Sequence, residues 1–229
     1  MIRVAYEKGK TLGISDDGTS FIALGGEWFA SAPVQRDAVE DPFDVAVHRL
    51  PQRAVERLRA RRFLRRADIE FDEQSPTAVF AVFGFPGLWS TGGGDGETLR
   101  LKALEYVTYA SSATSRTLIG FDSKYHFLLD GTGKQVTLPD GSPMVFRHRD
   151  GAAATFPRDL RGISGCAVWV MGDLAVPVDE WRPARVVAVQ TGVYQESEAI
   201  RATRWVAVTT LLNEACPELR PALLLWTPQ

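Results

Sequence analysis

One short run in this 229-residue chain has the residue types for nucleophilic chemistry: GISGCAVWV, residues 162–170. In it Ser164 sits between Gly162 and Gly165, just ahead of an apolar, strand-like segment. Glycine carries no Cβ, so the backbone at Gly162 can turn sharply and aim the N–H groups of Gly162 and Ser164 at one spot where an oxyanion develops. Gly165 leaves space for a substrate carbonyl to approach. A hydroxyl is a weak nucleophile near neutral pH, and acyl transfer through it needs an adjacent base. Taken alone, the run reads equally as a tight turn entering a strand.

Other segments fall in a telling order around it. DPFDVAV (41–47) resembles the strand-leading Asp-hydrophobic-Ala-hydrophobic signature of trypsin-like serine peptidases, and RVVAVQTG (185–192) resembles the strand that follows their nucleophile and lines the substrate groove. AVFAVFGFPG (78–87) is similar to the opening strand of their second barrel, and the end of the chain, from RATRW onward, to their C-terminal helix. The resemblance spans nearly the whole chain and rests on the joint order of short motifs.

That resemblance implies an all-β, trypsin-like double β-barrel: a remnant of the first barrel over 1–50, a helical connection over 51–75, and the second barrel with its C-terminal helix over 76–229. It implies a serine endopeptidase of the bacterial type. Ser164 would be the nucleophile, Asp44 the residue orienting a histidine, and the Gly162 and Ser164 amides the oxyanion hole. Gln190, Thr191 and Gly192 would pair main chain with an extended peptide or protein substrate. Arg158, six residues before Ser164, falls where the family's main pocket determinant often sits and would suit an acidic side chain. Ile163 stands where secreted members carry the aspartate that pairs with a new N-terminus, which points to the non-zymogen side of the family. The alternative is a catalytically inactive, protease-like module that holds an extended peptide; an unrelated β-rich interaction protein is a third reading.

The family's base is a histidine ahead of the aspartate, and none precedes Asp44; the chain's histidines are His48, His126 and His148. If Asp44 and His48 share one strand, four residues at ~3.3 Å each put them about 13 Å apart, beyond hydrogen-bonding reach. His126 and His148 fall in the stretch expected to form the second barrel, whereas the base comes from the first. Met1 is therefore expected to be an internal or misassigned start, with the sequence truncated a few residues after the histidine. Negligible peptidase activity is expected of the chain as given.

Composition narrows the partners. With 45% hydrophobic and 24% charged residues and a net charge of −2, the chain is an ordinary globular one with no overall attraction to nucleic acid or an anionic surface. No apolar run approaches the ~20 residues that span a bilayer, so no membrane partner is expected. No leader is visible at Met1, so the cytoplasm is the expected location unless an export signal precedes an internal start. Cys166 and Cys216 form no CxxC or Cys/His ligand pattern, and no metal or other cofactor is expected. Cys166 reads as a small buried residue at the base of the site.

The elements that must position Ser164 are short strands. Runs rich in Val, Phe, Ile, Leu and Thr predict strands at 11–15, 20–24, 45–50, 79–83, 98–108, 117–121, 126–129, 166–170 and 185–190. PQRAVERLRARRFLRRADI (51–69) has near-helical apolar spacing with Pro51 in its first turn, and carries Arg53, Arg57, Arg59, Arg61, Arg62, Arg65 and Arg66 against Glu56. Without interleaved aromatics or glycines that run reads as a solvated face, so nucleic acid is not the expected partner. A terminal helix is expected to break at Pro217. TGGGDGE (91–97) and DGTGKQ (130–135) lack phosphate-loop spacing and read as hairpin tips.

Overall fold

Most of the strand-forming runs in the second half of the chain pair into one antiparallel sheet. The computed structural model describes residues 13–15, 21–23, 25–31, 43–58, 63–84, 91–92, 99–100, 104–111, 118–133, 137, 141–142 and 163–224. Six strands make the sheet: β5 (Ala78–Gly84), β8 (Leu104–Tyr109), β9 (His126–Asp130), β10 (Ala167–Asp173), β11 (Arg185–Tyr194) and β12 (Ala199–Arg204). Their order is β8-β5-β10-β11-β12-β9. The sheet curls into a half-barrel until its two edges meet, at an antiparallel bridge between Ala110 and Leu129 and a 2.8 Å hydrogen bond from Ser111 N–H to the Leu128 carbonyl. Bulges at Val168/Trp169, Val170/Gly172 and Gln190/Gly192 add the local twist that such curling needs.

The concave side is the core. Val79, Phe80, Val82, Tyr106, Leu129, Val168 and Ile200 are almost fully buried there, each aliphatic or aromatic side chain contributing roughly 1.5–3 kcal/mol. Strand alternation decides what faces the other way. On β12, Ile200 and Ala202 belong to this core, so Arg201 and Thr203 project from the opposite face, beside Leu128 and His126 of β9.

Three small sheets accompany the large one: β1 (Gly13–Ser15) with β2 (Phe21–Ala23), β3 (Glu27–Ala30) with β4 (Ala46–Arg49), and β6 (Thr91–Gly92) with β7 (Leu99–Arg100). Helix α1 (Gln52–Arg57) follows β4; α2 (Trp205–Ala215) follows β12 and packs on β12, β11, β3 and β4; a 3-10 turn at Pro217–Leu219 and helix α3 (Arg220–Leu224) come last. The break after α2 falls at Pro217, as the sequence predicts. β6 and β7 pair as the arms of a hairpin, although the residues between them lie outside the described set.

Two expectations fail. Of the helix predicted over 51–69, the described residues form α1 and a 3-10 turn at Arg66–Asp68, with 63–65 outside any helix. Arginines three and four apart repel along a helix, and only Glu56 and Asp68 offset the seven of them. Ile69 instead buries itself in a parallel bridge with Val186; Glu70 N–H donates to the Val186 carbonyl at 2.9 Å, and Arg185 pairs with Glu70 at 3.0 Å. Among its described residues the connection over 51–75 is thus helical only in short pieces. The strand predicted at 117–121 is a turn, with Phe121 N–H on the Leu118 carbonyl at 3.2 Å and Gly120 at φ +72°, outside extended geometry. β3 was not foreseen.

Candidate functional site

Ser164 stands at a tight turn where the chain enters β10. Cys166 N–H closes the turn on the Ile163 carbonyl at 3.0 Å, and Gly165 has φ +89°, which the third position of a type II turn requires. Ile163 is the anchor, 1% exposed and packed against Gly84, where a Cβ would stand 2.9 Å from Ile163 Cβ and 2.6 Å from Cys166 Sγ. Cys166 is half-buried on the core beneath the turn, in keeping with its expected packing role. Two hydrogen bonds lock the turn to β11: Gly165 N–H to the Gln190 carbonyl and Gln190 N–H to the Cys166 carbonyl, both 2.8 Å. Ser164 itself is exposed, and no described residue hydrogen-bonds its hydroxyl.

Asp44 lies two residues before the first residue of β4, Ala46, in a left-handed conformation with φ +51°. Its Oδ2 lies 3.1 Å from Arg201 Nη2. The guanidinium also donates through Nε to Thr191 Oγ1 at 3.1 Å and through Nη1 to the Gly120 carbonyl at 3.0 Å. Thr203 Oγ1 donates to the Phe43 carbonyl at 2.9 Å, so in the 2.9 Å contact between the two threonines the proton belongs to Thr191. A closed ring results, running Asp44, Arg201, Thr191, Thr203, Phe43. The Tyr125 ring meets Phe43 edge-on at 4.7 Å and seats the same segment.

Polar burial concentrates here. Five of the seven buried polar residues among those described, His126, Gln190, Thr191, Arg201 and Thr203, lie on β9, β11 and β12 around this ring. Buried polar groups destabilise a fold unless they are satisfied, and a network of this kind fixes its members in one arrangement. Gln190 is fully buried; its Nε2 donates to the Gly192 carbonyl at 2.9 Å, and Oε1 has no partner among the described residues. Thr191 is the extra residue of the bulge, since Gln190 pairs with Ala202 and Gly192 with Arg201.

The structure thus joins the Ser164 turn directly to Gln190 of β11, and the Asp44 segment directly to Arg201 and Thr203 of β12 and through Arg201 to Thr191. Among the described residues β10 pairs with β11 only as far as Val189, leaving one edge of β11 beyond the turn without a described strand. Neither histidine described meets Ser164. His48 stacks on Trp28 across the β3–β4 hairpin, with centroids 4.1 Å apart, and burial pushes its pKa down. His126 is buried opposite Thr203, its Nδ1 accepting Asp122 N–H at 3.0 Å. Gly162, Arg158 and His148 lie outside the described residues. Sequence reasoning named Thr191 but missed Arg201 and Thr203. The signal was the alternation in IRATR, where a strand with Ile200 and Ala202 on one face carries Arg201 and Thr203 on the other.

Among the described residues no helix is long and apolar enough to cross a membrane, and no cluster of His, Cys, Asp and Glu could hold a metal ion. Of the arginines expected as a solvated face, Arg53, Arg57, Arg65 and Arg66 are exposed, the last lying 4.6 Å over the Phe71 ring. No family model, curated protein or solved structure matches the chain.

Proposed function

We propose that this chain is a trypsin-like serine endopeptidase of the bacterial, non-zymogen kind, with Ser164 attacking the carbonyl of an extended peptide laid along β11. One observation carries the reading: the glycine turn that bears the nucleophile is hydrogen-bonded to Gln190 of β11, and a carboxylate from the other end of the chain reaches the next residue, Thr191, through Arg201 of β12. In this reading the six-stranded sheet is the second of two barrels, and β1 to β4 belong to the first. Attack would form the Oγ–C bond and pass the hydroxyl proton to a base. The Ser164 and Gly162 amides would hold the oxyanion, at roughly 3 kcal/mol per donor. Collapse would expel the protonated amine, and water would release the acyl group from Ser164 by the same steps.

The base is the histidine that Asp44 would orient, and neither His48 nor His126 is placed for it. A second reading draws on a specific contact. Asp44 Oδ2 is held by Arg201, and a guanidinium accepts no proton; that arrangement suits a protease-like module that binds an extended peptide without cutting it. A fluorophosphonate probe, applied to this chain and to the longest reading frame containing it, separates the two when read by intact mass. Labelling of the longer protein that disappears in Ser164→Ala supports the peptidase. Peptide binding without labelling in either protein supports the binding module. Neither labelling nor binding overturns both.

A further inference from the structure

We infer that Arg201 is a receptor for an acidic side chain of the bound peptide, and that the Asp44 carboxylate is its resident internal ligand. The inference rests on β11 being a peptide groove. Arg201 is only 8% exposed, yet its guanidinium is held by three acceptors on three separate segments: Thr191 Oγ1, the Gly120 carbonyl and Asp44 Oδ2. Two glycines are shaped around it. A Cβ at Gly120 would come within 3.0 Å of Nη1, and one at Gly192 within 3.2 Å of Nε and 3.5 Å of Nη2. The absent side chain at Gly192 opens this part of β11 directly onto the guanidinium.

The three partners differ in exposure to solvent. Thr191 is buried within the strand pairing and the Gly120 carbonyl belongs to the backbone, whereas the Asp44 side chain is 38% exposed against 10% for Arg201. An incoming carboxylate would replace one anion with another and keep the buried cation paired throughout. A neutral or basic peptide side chain could not, because an unpaired buried cation is the costly state. The ligand class is therefore a peptide with glutamate or aspartate where it crosses Gly192.

Fluorescence anisotropy with a labelled, alanine-rich nonapeptide, glutamate or glutamine being moved through each position, tests this on the full chain. The wild type should prefer glutamate at one position by about fivefold, and Asp44→Asn, which removes the internal competitor, should widen that ratio to about fiftyfold. Arg201→Met should abolish the preference while glutamine peptides still bind. If that variant does not fold, Asp44→Asn alone decides. A ratio that is unchanged or lowered in Asp44→Asn overturns the inference and leaves the groove intact. Absence of binding by every peptide to every variant overturns the groove reading, and the inference with it.

Discussion

The exposure of Ser164 depends on Gly165. No atom lies within 4 Å of a Cβ built there, so alanine at 165 meets no clash and is penalised only through its positive φ. Gly165→Ala should therefore cost about 1–2 kcal/mol in urea unfolding, with weaker peptide binding because the turn presenting Ser164 shifts. Arg201 answers to different physics. Arg201→Met leaves the Thr191 hydroxyl and the Gly120 carbonyl short of a donor and should lose about 1–3 kcal/mol in the same assay. Arg201→Lys should recover only part, since an ammonium cannot span acceptors that a planar fork reaches together. The two residues also differ in how far the sequence announces them. The Ser164 turn is local, and its glycines declare it. The Arg201 ring gathers residues from positions 43, 44, 120, 191 and 203, a convergence that only the pairing of β9, β11 and β12 creates.

The β3–β4 hairpin is stapled by the Trp28–His48 stack, and burial depresses the His48 pKa. An unfolded histidine titrates near pH ~6.5, so below that pH the unfolded chain binds the proton more readily than the folded one. The contribution of His48 is thus fully present above pH ~6.5 and is lost as the pH falls through the lower, folded value. Thermal melts should show stability declining on acidification below that pH. His48→Phe, which keeps a ring against Trp28, should flatten the decline. Where the large sheet meets the Ser164 turn, Gly84→Ala would press on Ile163 and Cys166 and should cost about 1–3 kcal/mol by overpacking, seen as a lowered urea midpoint. Most strands were legible because valine, alanine and aromatic residues run together between glycine and proline breaks. The helix over 51–69 was misread because apolar spacing says nothing of the repulsion among its arginines, or of the pairing that Val186 offers to Ile69. The turn at Gly120 was misread because its carbonyl serves a side chain far away in sequence.

Across the whole molecule, the small sheets have outer edges that no further described strand covers. Open edges recruit other chains, so sedimentation velocity at rising concentration should show association. The chain as given should leave fluorescein-casein at background hydrolysis, because neither described histidine is placed beside Ser164. The order of the large sheet carries one more consequence. β12 is the last of the described strands to be made, yet it lies inside the sheet, between β11 and β9. A nascent chain on the ribosome must hold residues 126–130 with one flank empty until 199–204 emerge from the exit tunnel, so the cooperative unit can complete itself only once Arg204 is out. A stop codon anywhere before Arg204 would thus remove not a trimming but the keystone.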